Sequence, residues 1–170
     1  MKSKLFVLLG LVLLISCTNQ NIKPITDDEK ASIKLEIEKF LDILADDFNA
    51  MNFDKTMSRS MSLNSSNIWF VTTKGKILSY EEEVEAIKSQ PNYFKAFKDY
   101  NYVVNQIDIL SPEIAVATIT YSVKLIYKDD SIENHPKTAA TGIYKKIDNQ
   151  WMCIYWHESS SGPEEVISNN

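Results

Sequence analysis

His157 closes an aromatic run, Trp-Met-Cys-Ile-Tyr-Trp-His-Glu-Ser-Ser-Ser-Gly, from Trp151 to Gly162. An imidazole in that setting can act as a general base, as a polar contact to a ligand, or as a strand-end side chain bonded to neighbouring backbone. Few other residues compete for chemistry. His135 and His157 are the only histidines, and no His-x-His, Cys-x-x-Cys or paired-carboxylate spacing accompanies them, so no metal is expected. No Gly-rich phosphate loop and no Gly-x-Ser-x-Gly elbow occurs, and no cofactor is expected. Cys153 lies among Met152, Ile154, Tyr155 and Trp156 and reads as a buried small hydrophobe rather than a nucleophile. The run Tyr80 to Glu85 holds four glutamates, which read as a solvated helix start favoured by the helix dipole.

The other cysteine has a different setting. Two lysines, an apolar stretch and Ser16-Cys17 open the chain, the pattern of a secretory signal peptide, and the stretch is too short to span a bilayer. Leu14-Ile15-Ser16-Cys17 resembles the bacterial lipobox. That resemblance implies cleavage before Cys17 and diacylglyceryl attachment to its thiol, hence a lipid-anchored envelope protein, with the outer membrane preferred because Thr18 supplies no acidic retention signal. Acylation would leave Cys153 without a disulfide partner. Losing Lys2 and Lys4 with the leader shifts the net charge from −5 to −7, which disfavours nucleic acid.

Residues 1–16 are therefore expected to be a leader, 17–25 an acylated cysteine and polar tether, 26–162 one domain, and 163–170 a fraying tail. Thr26 and Glu29 form a capping box ahead of Ile33, Ile37, Leu41, Leu44 and Phe48, spaced for a long amphipathic helix. Asp54 restarts a short helical piece. Asn67 to Thr73 reads as a strand, turned by Lys74-Gly75-Lys76, and Ser79 with Glu82 caps another helix. After Pro91, the stretch Asn92 to Tyr100 reads as a further helical turn or two carrying Phe94 and Phe97. The remainder alternates as long strands, with Ala115, Ala117, Ile119, Tyr121, Val123 and Leu125 on one face. Helices first and antiparallel strands after them argue an α+β fold.

This order of elements, ending in Tyr144 to Ser159 with Trp151, His157 and Ser159 in place, resembles the NTF2-like superfamily and within it the SnoaL-like branch. The resemblance implies a cone in which a curved antiparallel sheet wraps the first helix and leaves a pocket. Its members include isomerases, dehydratases and non-enzymatic binding or assembly domains, so the fold leaves the chemistry open. A two-residue turn at Asp148-Asn149 or Asn149-Gln150 puts Trp151, Cys153, Tyr155, His157 and Ser159 on the face of Ala140, Gly142 and Tyr144; a three-residue loop would reverse this. On that facing the expected ligand contacts are Trp69, Tyr121, Tyr144, Tyr155 and His157, around a small apolar or aromatic molecule. Glu158 is then expected on the opposite face. Met152, Ile154 and Trp156, beside Val116, Thr118 and Thr120, are expected to form a homodimer face.

Three functions follow. The first is a lipid-anchored, small-ligand-binding or accessory domain. The second is a cofactor-free isomerase or dehydratase using His157, and the third a structural dimer whose pocket is filled by Tyr121, Tyr144 and Tyr155. The expected first-strand region holds Asn64, Ser65, Ser66 and Asn67 but no acid, and the only arginine is Arg59. His157 therefore lacks the carboxylate that would orient a base, and the first function is preferred.

Overall fold

The computed structural model describes residues 24–63 and 69–160. The expected leader, Cys17 and the expected tail at 163–170 lie outside them. Among the described residues three helices, α1 (Asp27–Asn49), α2 (Phe53–Ser58) and α3 (Tyr80–Ser89), accompany six strands. These are β1 (Phe70–Val71), β2 (Ile77–Leu78), β3 (Phe94–Ser111), β4 (Ile114–Tyr127), β5 (Ile132–Ile147) and β6 (Gln150–Ser160). They form one sheet in the order β2-β1-β6-β5-β4-β3, antiparallel except where β1 lies parallel to β6. The result is a mixed α+β architecture, a long first helix in a curved open sheet.

Local chemistry sets the boundaries. Both capping boxes form: Thr26 with Glu29 opens α1, and Ser79 with Glu82 opens α3. The apolar stripe of α1 (Ile33, Ile37, Phe40, Leu41, Leu44) packs on Ile107, Ala115, Ala117 and Ile119 of the sheet, whose small residues let the helix come close. Asn52, rather than Asp54, caps α2.

Two expectations change. Asn92 to Tyr100 is not helical beyond one 3-10 turn at Gln90–Asn92; β3 begins at Phe94. The strand is bulged between Phe94 and Ala96 and between Lys98 and Asn101, with Asp99 at φ 56°. Each bulge adds a residue, so Phe97 and Tyr100 both turn inward at a spacing of three and imitate a helical stripe.

The second change concerns β6. Asp148 and Asn149, both at positive φ, make a two-residue turn, and Ile147 pairs with Gln150. Trp151 and Cys153 therefore face inward with Lys146 and Tyr144. Beyond Cys153 the register shifts: Tyr144 pairs with Cys153 but Ile143 with Tyr155, leaving Ile154 unpaired. This bulge reverses the expected facing. Trp156 and Glu158 turn inward beside Gly142 and Ala140, while Tyr155 and His157 turn outward opposite Ile143 and Thr141. The bulge sits where the free edge of β6 changes partner. Cys153 exchanges backbone hydrogen bonds with Arg59 and Met61, whereas the Trp156 N–H donates to the Trp69 carbonyl. One extra residue lets the strand satisfy both neighbours.

Candidate functional site

Between the inner face of the sheet, the C-terminal half of α1, and α2 and α3 lies a cavity of about 360 Å³. Its lining is aromatic because β3 and β4 present tyrosines in register. Tyr100 stacks between Phe48 (4.7 Å between ring centres) and Tyr121 (5.3 Å), and Tyr102 meets both tyrosines and Trp156 edge-on. The Tyr102 hydroxyl donates to that of Tyr100 at 3.2 Å. Burial pushes all three phenols well above their usual range, so they act as neutral hydrogen-bonding groups.

Two carboxyls enter this apolar space from different walls. Glu158, on β6, accepts hydrogen bonds from the Trp156 indole N–H at 2.9 Å and from the Tyr121 hydroxyl. Burial raises its pKa, and these bonds, with the nearby His135 and His157 rings, act the other way. Glu83, in the first turn of α3, is only 7% exposed. Burial first, and then the charge of Glu158, push its carboxyl up to about 8, with Lys76 opposing. Glu83 is thus a largely protonated acid at neutral pH. His135 completes the polar lining, its Nε2 2.8 Å from Glu133.

Trp69 and Tyr121, two of the five expected ligand contacts, line the cavity. The other three expected contacts do not. His157 is exposed and Tyr155 half-buried on the outer face, both displaced by the bulge at Ile154. Tyr144 is inward but fully buried beneath the cavity, its ring edge-on to Phe40 and laid over Gly142. A Cβ on Gly142 would stand 2.4 Å from the Tyr144 hydroxyl, so that ring fills the space beside Gly142. His157 as an inward base is likewise excluded by its position. Trp156 belongs to the cavity and not to an outer dimer face.

Sequence reasoning missed Glu83, Glu158, His135, Tyr100 and Tyr102. Glu83 looked like one of four solvated glutamates, and only the packing of α3 over the cavity distinguishes it. Cys153 is buried, and burial raises its thiol to about 12, so it is no thiolate nucleophile. Among the described residues no group of three His, Cys, Asp or Glu side chains could share a metal ion.

No curated protein sequence matches the chain significantly. Solved structures with the same fold include an NTF2-like superfamily protein from Salmonella enterica serovar Typhimurium, with a TM-score of 0.63 at 12% identity over 83% of this chain and 99% of that one. A putative scytalone dehydratase from Novosphingobium aromaticivorans gives 0.60 at 11% identity, over 82% and 100%. The association domain of C. elegans CaMKII gives 0.58 at 14% identity, over 79% and 100%. The sequence profile described as the SnoaL-like domain matches residues 37–162. With most of the chain covered by that profile, the cavity, helices and sheet are those of a SnoaL-like domain, and the protein belongs to that family within the NTF2-like fold.

Proposed function

We propose that the protein is a lipid-anchored, extracytoplasmic domain that binds one small, mostly apolar molecule in this cavity. The observation that carries the reading is an aromatic space of about 360 Å³ with a few convergent polar groups, the composition expected of a small-molecule site. The apolar body would rest on Tyr100, Tyr102 and Trp156, and Glu158, held by Tyr121 and Trp156, would fix its polar end. Native mass spectrometry of gently purified, anchor-free domain tests this. A co-purifying small molecule that Tyr121→Ala loses supports it, and a cavity that neither retains nor takes up any ligand removes it. Attachment rests on Leu14 to Cys17: Cys17→Ser should leave the protein unprocessed or release it from membranes, read by fractionation.

A second reading has its own support. Two carboxyls with raised pKa values face one water-poor volume, an arrangement suited to proton transfer. An isomerase or lyase of this kind would use Glu158 and Glu83 in place of His157. Turnover lost in Glu158→Gln with binding retained would select it.

Assembly is a separate proposal. The outer face carries a row across three strands, Val116 paired with Ile143 and Ile143 with Tyr155, all half-buried in the single chain. A similar structure is named as an association domain. We place a homodimer contact on this row, in place of one through Trp156.

A further inference from the structure

Resting on that reading of the cavity, we propose that its occupant is an organic cation, an ammonium group carried on an apolar body and seated between Glu83 and Glu158. Three independent features point to it. First, the charge-bearing side chains among the described lining residues are the two glutamates and His135; neither lysine nor arginine is among them. Second, among the described residues only the charge of Lys76 opposes the effect of burial on Glu83, and no hydrogen bond reaches its carboxyl. It is nearly covered and lines the cavity. Glu158 differs, being held by Trp156 and Tyr121. The Glu83 oxygens are not sealed off, since Tyr144 alone among the described residues has an orphaned buried polar atom, so a donor can approach Glu83 from the cavity. Third, the walls between the acids are aromatic. Both faces of Tyr100 are covered by Phe48 and Tyr121, but Tyr102, Tyr121 and Trp156 also line the cavity, and their negative quadrupoles attract cations. An anionic ligand would meet two carboxyls and no lysine or arginine among the described lining residues. A neutral one would leave Glu83 to donate a single hydrogen bond.

Occupancy by a cation changes protonation as well. Empty, the cavity holds Glu83 as the neutral acid at pH 7, because burial and Glu158 outweigh Lys76. An ammonium ion nearby favours the carboxylate, so binding should release a proton. Affinity should then rise with pH until Glu83 is ionised without the ligand, near pH 8. The other titratable groups on this volume are Glu158 and Cys153 from β6, His135 from β5, Tyr121 from β4, and Tyr100 and Tyr102 from β3. The phenols and the thiol stay neutral through this range.

The test uses three probes with one skeleton and different charge: phenylbutylamine, phenylbutanol and phenylbutanoate. Each is titrated calorimetrically into the full chain in detergent between pH 6 and 9, in buffers of different ionisation enthalpy. The amine should bind about tenfold or more tightly than the alcohol at pH 8, releasing a proton below that pH. Glu83→Gln, which keeps shape and loses charge, should cut that preference several-fold and remove most of the pH dependence. If the alcohol or the carboxylate binds as well as the amine, the cation proposal fails and the small-ligand reading stands. If no probe binds, both fail. A pH dependence that survives Glu83→Gln and vanishes in His135→Asn also overturns the proposal.

Discussion

Tyr144 carries a hydroxyl into the core with no hydrogen-bond partner among the described residues, between Phe40 and the backbone of Gly142. An unsatisfied buried hydroxyl costs about 1–3 kcal/mol, so Tyr144→Phe should raise stability by roughly 1–2 kcal/mol, seen as a higher urea midpoint at unchanged slope. Glu83 gives the second prediction at this scale. Its folded pKa is about 8, above the ordinary 4.5 that an unfolded chain would show. The folded state therefore holds the proton more tightly, and this stabilisation is whole below pH 4.5 and is lost as pH rises towards 8. Glu83→Gln should flatten that loss, gaining on the wild type by up to a few kcal/mol, on the order expected for a buried acid, between those limits. A constant difference across pH would show that Glu83 is ionised alike in both states. The sequence placed Tyr144 on the inner face, though as a ligand contact, and gave no sign of Glu83. Glu83 is one of four acids in a helix start, and its burial depends on what α3 is packed against.

The elements were legible where local chemistry repeats without interruption. α1 follows from its capping box and its apolar stripe, and β4 from strict alternation over Ala115 to Leu125. Strands that carry bulges were not. In β3 the inward spacing of Phe94, Phe97 and Tyr100 copies a helix. In β6 the residues from Trp151 to Trp156 are all apolar, so alternation has no polar member to mark its phase, and the switch at Ile154 leaves no trace. The consequence is measurable on adjacent residues. His157→Ala should change stability by less than about 0.5 kcal/mol, whereas Trp156→Ala, emptying a buried site, should cost about 3–5 kcal/mol. Equal losses from chemical denaturation of the two variants would contradict the bulged register.

At the scale of the whole molecule, the family resemblance already implied the layers, a long helix inside a curved sheet, and the profile over residues 37–162 bears it out. The facing of the last strand decided the rest, because it assigns one set of residues to the cavity and another to the outside. With Trp156 inside, the outer row of Val116, Ile143 and Tyr155 remains for association. The anchor-free domain should scatter light as a dimer, and Ile143→Glu with Tyr155→Glu should give a folded monomer that keeps its circular dichroism. A wild-type monomer at high concentration would dispose of this contact. A good dimer covers about 1,200–2,000 Å², so the row would be the centre of a larger patch.

Ile154 has no counterpart on β5, and this makes it an unusual target for deletion. Losing a residue from a strand ordinarily inverts every side chain beyond the lesion. Here removal of codon 154 would leave Cys153 opposite Tyr144 and Tyr155 opposite Ile143, with Trp156 and Glu158 still directed inward. The damage would be confined to the seam where β6 passes from Arg59 and Met61 to Trp69. In a scan of single-codon deletions along β6, position 154 should be the tolerated one. Conversely, drawing the spare residue through towards Ser160 would turn His157 inward and expel Trp156 and Glu158. The single extra residue at Ile154 is what gives the cavity a carboxylate and not an imidazole.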